Sequence, residues 1–168
     1  MPNHYLENDA VISDCGKYRY LLRRTWDHAK PRALLIMLNP STADARQDDA
    51  TIRSCVRLLT GLGYGSMEVV NLFAFRATDP REVLRMTAAG DPVGARNQEV
   101  IECAASDAGL IICAWGTNGS HIQQAETVLG WLSDRETFAL GLSKEGHPRH
   151  PLYLKADAPL LPMDGTCV

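Results

Sequence analysis

Four short segments of this 168-residue chain carry the side chains best suited to chemistry, and each follows an apolar run. Asn39-Pro40-Ser41-Thr42 ends the run Ala33–Leu38. Asn71 to Arg76, which holds Phe73 and Phe75, closes Met67–Leu72. Gly116-Thr117-Asn118 stops Leu110–Trp115, and Ser143 to His150, with Lys144, His147 and Arg149, follows Thr137–Leu142. An amide such as Asn39, Asn71 or Asn118 offers a donor and an acceptor side by side. His150 can exchange a proton near neutral pH, and Asp44, Asp48 or Asp49 can act as a general base. The convergence of these segments says more than any one of them.

The elements that must position them are short apolar runs bounded by turn residues. Such runs read as strands buried on both faces. Ala33–Leu38 is the central one. Between the runs lie helical stripes: Ile52, Cys55, Val56, Leu59 and Leu62 behind the cap Asp49, a short Arg81–Met86 segment, Arg96–Ala105, and Ile122, Ala125, Val128, Leu129 and Leu132. Strands alternating with helices predict a parallel sheet covered on both faces. Residues 9–13 and 18–26 read as an antiparallel hairpin along one edge. The proline-rich stretch after Gly141 predicts no regular element. The expectation is one domain, 1–168, of class α/β: three layers, α/β/α, around a mostly parallel four-stranded sheet. In such a sheet ligands bind beyond the carboxyl ends of the strands, where the four segments lie.

Composition narrows the class. Apolar residues make up 45% and charged residues 22%, ordinary globular values, and the net charge of −3 gives no global attraction to nucleic acid. A basic lining can still be local. No run approaches the roughly 18 apolar residues of a membrane span, and the N-terminus lacks the order of a secretory signal. The expectation is a cytoplasmic protein with no membrane partner; no feature sets an oligomeric state. Cys15, Cys55, Cys103, Cys113 and Cys167 form no CxxC pair, so neither a metal site nor a disulfide framework is expected. Cys55, Cys103 and Cys113 read as core filler. No cofactor is implied.

The stretches LNPSTAD, Asp49 and Thr51 of a DxT, VNLFAFRATDP, AWG and GHPRHPLYL resemble the bacterial domain-of-unknown-function 1643 family, over roughly Tyr18 to Pro162. Their order is also similar, more remotely, to that of the uracil-DNA glycosylase superfamily. There a first strand ends in a catalytic Asp or Asn before Pro, a second leads to an Asn, a third ends in Gly, and a last loop carries His-Pro. The chain departs from that pattern at Met37, at Ser41 and at Leu152, where a serine is usual, and it has no iron–sulfur cysteines.

This resemblance implies hydrolysis of a base–sugar N-glycosidic bond in DNA. Asn39 then matches the position that holds the attacking water, His150 the group that stabilises the departing base, and Asn71 an amide that reads the base edge. Asp44 or Asp49 would supply the carboxylate that Asn39 lacks. Phe73 or Phe75 would stack on a base, and Arg76, Arg149, Lys144, Ser41 or Thr42 would meet phosphate. Pro40, Gly116 and Asn118 complete the substrate side. Two alternatives stand beside it: a non-catalytic nucleotide or nucleic-acid binder, and a hydrolase of free nucleosides or nucleotides. Structural readings stand too: Asn39 as a turn residue, His150 as a hydrogen-bonder, Asp48-Asp49 as a helix cap, one phenylalanine as core, Trp115 as packing. His121 and His147 read as solvent-facing.

Overall fold

Strand β3 (Arg32–Met37) is apolar on both sides because both sides are covered. Ala33, Leu35 and Met37 pack with Ile52, Cys55, Val56 and Leu59 of helix α1 (Ala50–Gly61). Leu34 and Ile36 pack on the other face with Val100, Ile101 and Ala104 of α3 (Asn97–Ser106) and Ala125 and Val128 of α4 (Gln124–Trp131). Short α2 (Pro80–Arg85) adds Val83 to that face. These contacts are seen in a computed structural model, which describes residues 4–86, 90–155 and 157–163.

The remaining strands are β1 (Glu7–Ile12), β2 (Arg19–Thr25), β4 (Ser66–Asn71), β5 (Leu110–Cys113), β6 (Phe138–Ala139) and β7 (Leu161–Pro162). They form one mixed seven-stranded sheet in the order β1-β2-β4-β3-β5-β6-β7. Strand β3 pairs in parallel with β4 and β5, and β5 with β6. The pairs β1–β2, β2–β4 and β6–β7 are antiparallel. All four parallel strands therefore release their loops at one edge.

Three expectations need correction. The sheet is wider than four strands plus a hairpin, because the proline-rich tail returns as β7, where Leu161 faces Ala139. Pro162 is tolerated there since an edge position asks for no ladder N–H. The same tail also makes a tight helical turn at Pro151–Tyr153. Helix α4 begins at Gln124, after Ile122 and Gln123, whose φ angles of 48° and 57° are left-handed. Ile122 is thereby half exposed, outside the helical stripe. Cys55 and Cys113 are buried but Cys103 is exposed, since it lies on the solvent side of α3. Cys167 lies outside the described residues. Among those residues no helix is long and apolar enough to cross a membrane.

Two buried arginines of β2 hold the loop that follows β3. Arg19, 3% exposed, donates from Nη1 to the Ala43 carbonyl at 2.5 Å. Arg24, 1% exposed, donates to Asp48 Oδ1 at 2.8 Å and also to the carbonyl of Asp44, and Tyr5 donates to the second oxygen of Asp48. Burial without a carboxylate in contact lowers the Arg19 guanidinium to about 10. Removing one partner of such a buried pair strands the other. Arg24→Ala is expected to lower the unfolding free energy by about 3 kcal/mol in a urea titration, with Asp48→Asn milder because the amide oxygen can still accept from the Arg24 guanidinium.

Candidate functional site

A cleft of about 430 Å³ opens where the parallel strands end. Asn39 and Ser41 line it from the loop after β3, Thr78 and Pro80 from the segment after β4, and Trp115 to Asn118 from the segment after β5. His150 and Tyr153 of the last loop close it opposite Thr51 of α1. Residues that the sequence scatters over most of its length thus share one hollow.

The loop after β3 is clasped to the one after β4. Asn39 Nδ2 donates to the Ala77 carbonyl at 2.8 Å and to the Pro40 carbonyl at 3.1 Å, and the Ala77 N–H returns a bond to Pro40 at 2.9 Å. Two carbonyl partners leave no doubt which end of the amide is nitrogen. Oδ1 is left as an acceptor without a protein donor among the described residues, able to hold a water or a ligand N–H.

His150 is set by a chain of backbone bonds. Arg149 N–H donates to the Gly141 carbonyl at 2.9 Å, and Gly116 N–H to the Pro148 carbonyl at 2.8 Å, tying the last loop to the one after β5. Gly116 makes that turn with φ 75°, a left-handed conformation that favours glycine. His150 then caps the 151–153 turn: its Nδ1 accepts the Leu152 N–H at 3.3 Å. An accepting Nδ1 requires the neutral imidazole to carry its proton on Nε2. Burial pushes the His150 pKa below its ordinary value of 6.5, opposed by the charge of Asp49. The accepting Nδ1 and the burial together favour the uncharged ring with its proton on Nε2.

Trp115 forms the floor, 2% exposed. A Cβ on Gly119 would sit 2.0 Å from the indole Cδ1, so only glycine fits against it. The indole N–H is buried with no partner among the described residues.

Other expected site residues lie elsewhere. Pro40 is buried and Thr42 exposed, both beside the cleft without lining it. Phe73 is core and Phe75 packs edge-on to Tyr18, because the chain past β4 keeps bonding to β3 through Leu72 and Phe73 N–H groups. Arg76 turns to the β1–β2 connection, donating to the Gly16 carbonyl at 3.3 Å. Asp44 spends Oδ1 on the N–H groups of Arg46 and Gln47, which hold its pKa below the usual carboxylate value. Asp49 caps α1 through Ile52 N–H at 2.9 Å. Among the described residues no carboxylate lines the cleft. Asn71 is 1% exposed and both its amide atoms lack a partner among the described residues, yet its register partner Met37 does line the cleft. Arg149 and His147 line an adjoining lobe. His147 and His121 are half-buried rather than solvent-facing, the latter because its ring packs on Phe73.

Thr51, Thr78, Thr117 and Tyr153 also line the cleft, yet motif reading gives none of them a role, although Thr51, Thr78 and Tyr153 stand inside three of the quoted motifs and Thr117 in the Gly116-Thr117-Asn118 segment. A second hollow of about 210 Å³ surrounds Glu68 away from this edge, but Arg23 and Arg32 already satisfy that carboxylate. Among the described residues no group of three or more His, Cys, Asp or Glu is placed to hold a metal ion.

A family model described as a protein of unknown function, DUF1643, matches residues 19–152. The chain belongs to that family. No curated protein and no solved structure matches it.

Two stability measurements test this geometry. Asn39→Asp places an oxygen against two carbonyls, so the folded state favours the protonated carboxyl and raises its pKa above the unfolded value of about 3.9. Relative to wild type, the variant should be least impaired below that pH and lose about 1–3 kcal/mol as pH rises through the raised value. His150 has the opposite sign. Its folded pKa is depressed, so its contribution is full above about 6.5 and is lost as pH falls through the folded value. His150→Gln should remove that acid-side decline in urea titrations.

Proposed function

We propose that the cleft hydrolyses the bond between a nucleobase and its sugar. One observation carries the reading: His150, whose Nδ1 already accepts a backbone N–H, and Asn39, whose nitrogen is spent on two carbonyls, line the same hollow, and among the described residues no carboxylate lines it with them. Breaking a base–sugar bond sends an electron pair onto the base and leaves cationic character on the sugar. His150 donates a hydrogen bond to the base oxygen as charge develops there. Asn39 Oδ1 accepts from a water and turns it toward the sugar carbon; the water's hydroxyl ends on the sugar and its proton on the base. Departure of the base leads, since an amide is no strong base. Asp49 acts at a distance, its charge tempering the loss of basicity that burial imposes on His150.

The order of these parts along the sheet supports a uracil-DNA glycosylase-like arrangement: Asn39-Pro40 after β3, Gly116 after β5 and His150-Pro151 in the last loop. Asn71 suits the base-reading role once a ligand displaces Met37, which would satisfy its unpartnered amide. The absence of a lining carboxylate favours a second reading, a binder that holds a base or nucleotide without turnover.

The test is a cleavage screen on oligonucleotides bearing uracil, mismatched thymine, hypoxanthine or modified pyrimidines, beside the free nucleosides, with abasic sites revealed by alkali. The proposal expects abasic product and a rate reduced roughly 10²–10³-fold by His150→Ala, with Asn39→Ala also impaired. Tight binding of the same substrates without product would replace it with the binder. Product from nucleosides alone would move the activity to free nucleosides.

A further inference from the structure

The cleft does not end at His150. A second lobe of about 260 Å³ continues from it, and the two share Gly116, Thr117, His150 and Tyr153 as a common wall. Beyond that wall the outer lobe is lined by Ser143, His147, Pro148 and Arg149, again with no carboxylate, in a chain whose net charge is −3. Arg149 is exposed and enters no ion pair among the described residues. Its stem lies along Gly141, where an added Cβ would stand 3.6 Å from Arg149 Cδ. Ser143 Oγ accepts N–H bonds from Glu145 and His147, both at 3.2 Å, so its own proton is free to donate outward.

A planar cation, an outward hydroxyl and an imidazole around a hollow without acid suit a phosphate group. Resting on the base–sugar reading above, we propose that the outer lobe is a phosphate subsite and that the substrate is a phosphorylated nucleoside, free or within a strand. The base occupies the lobe of Asn39 and Trp115. The sugar crosses the wall at His150, and Tyr153, 73% exposed, offers a ring at the junction. The glycosidic bond is then held beside His150 from both ends, which a nucleoside lacking phosphate cannot achieve.

Calorimetric titration of the whole protein tests this with four probe sets: common nucleosides, their 5′- and 3′-monophosphates, a short single-stranded oligonucleotide, and inorganic phosphate. Nucleotides or the oligonucleotide should bind at least tenfold tighter than nucleosides. Arg149→Gln, an exposed position that spares folding, should erase that difference while leaving nucleoside binding in place. Dominance of the oligonucleotide, with a salt slope that falls by about 1 in Arg149→Gln, assigns the phosphate to a strand; dominance of monophosphates assigns it to free nucleotides. Equal binding of nucleosides and nucleotides, or a difference that survives Arg149→Gln, overturns the subsite and leaves the base–sugar reading intact. Binding of none of the probes overturns the subsite, while the cleavage screen on modified and mismatched bases decides the base–sugar reading separately.

Discussion

The amide of Asn39 is the contact on which the site depends. Its nitrogen joins the loops that leave β3 and β4, and by spending itself on two carbonyls it leaves the oxygen of a cleft-lining residue without a protein donor among the described residues. Neither loop has a helix or strand of its own at that point. Each is defined by the other. The proline that follows restricts Asn39 to an extended backbone, so the side chain is presented rather than folded back into a helix.

Around that clasp the fold uses charge as a structural material. Arg19 and Arg24 reach from β2 beneath the β3 loop and bind its carbonyls, so the segment between Ala43 and Asp48 is held from below by buried cations. The acidic residues of that loop answer to those cations or to local N–H groups. They are thereby kept out of the cleft, which is left to amides, hydroxyls, aromatic rings and imidazole. A hollow with those walls stabilises negative charge developing on a ligand rather than abstracting protons from it.

The parallel core was legible because burial on both faces leaves a direct mark: continuous apolar runs cut by Asn-Pro, Gly-Thr-Asn and Asp-Pro. Asn39 and His150 could be placed on one rim from that order alone, since every parallel strand opens its loop at the same edge. What failed depended on partners distant in sequence. Phe73 and Arg76 follow β4 and read as rim residues, but Phe73 keeps bonding to Leu38 and Arg76 reaches back to the β1–β2 turn. Arg19 and Arg24 lie in a segment that reads only as one arm of an edge hairpin, because nothing local shows that the β3 loop folds over them. Ile122 fits a helical stripe that its left-handed backbone breaks. Strand β7 is two residues in a proline-rich tail, too short to carry a period.

The proposed chemistry turns on one proton, on Nε2 of His150, a residue that lines the cleft. Nitrogen-15 NMR of the histidine rings at pH 7, assigned through His150→Gln, measures it directly. The expected result is the neutral Nε2–H tautomer in the free protein, and a downfield shift of that proton when a free pyrimidine base is added. An imidazolium ring, an Nδ1–H tautomer, or an Nε2–H resonance indifferent to added bases would contradict it.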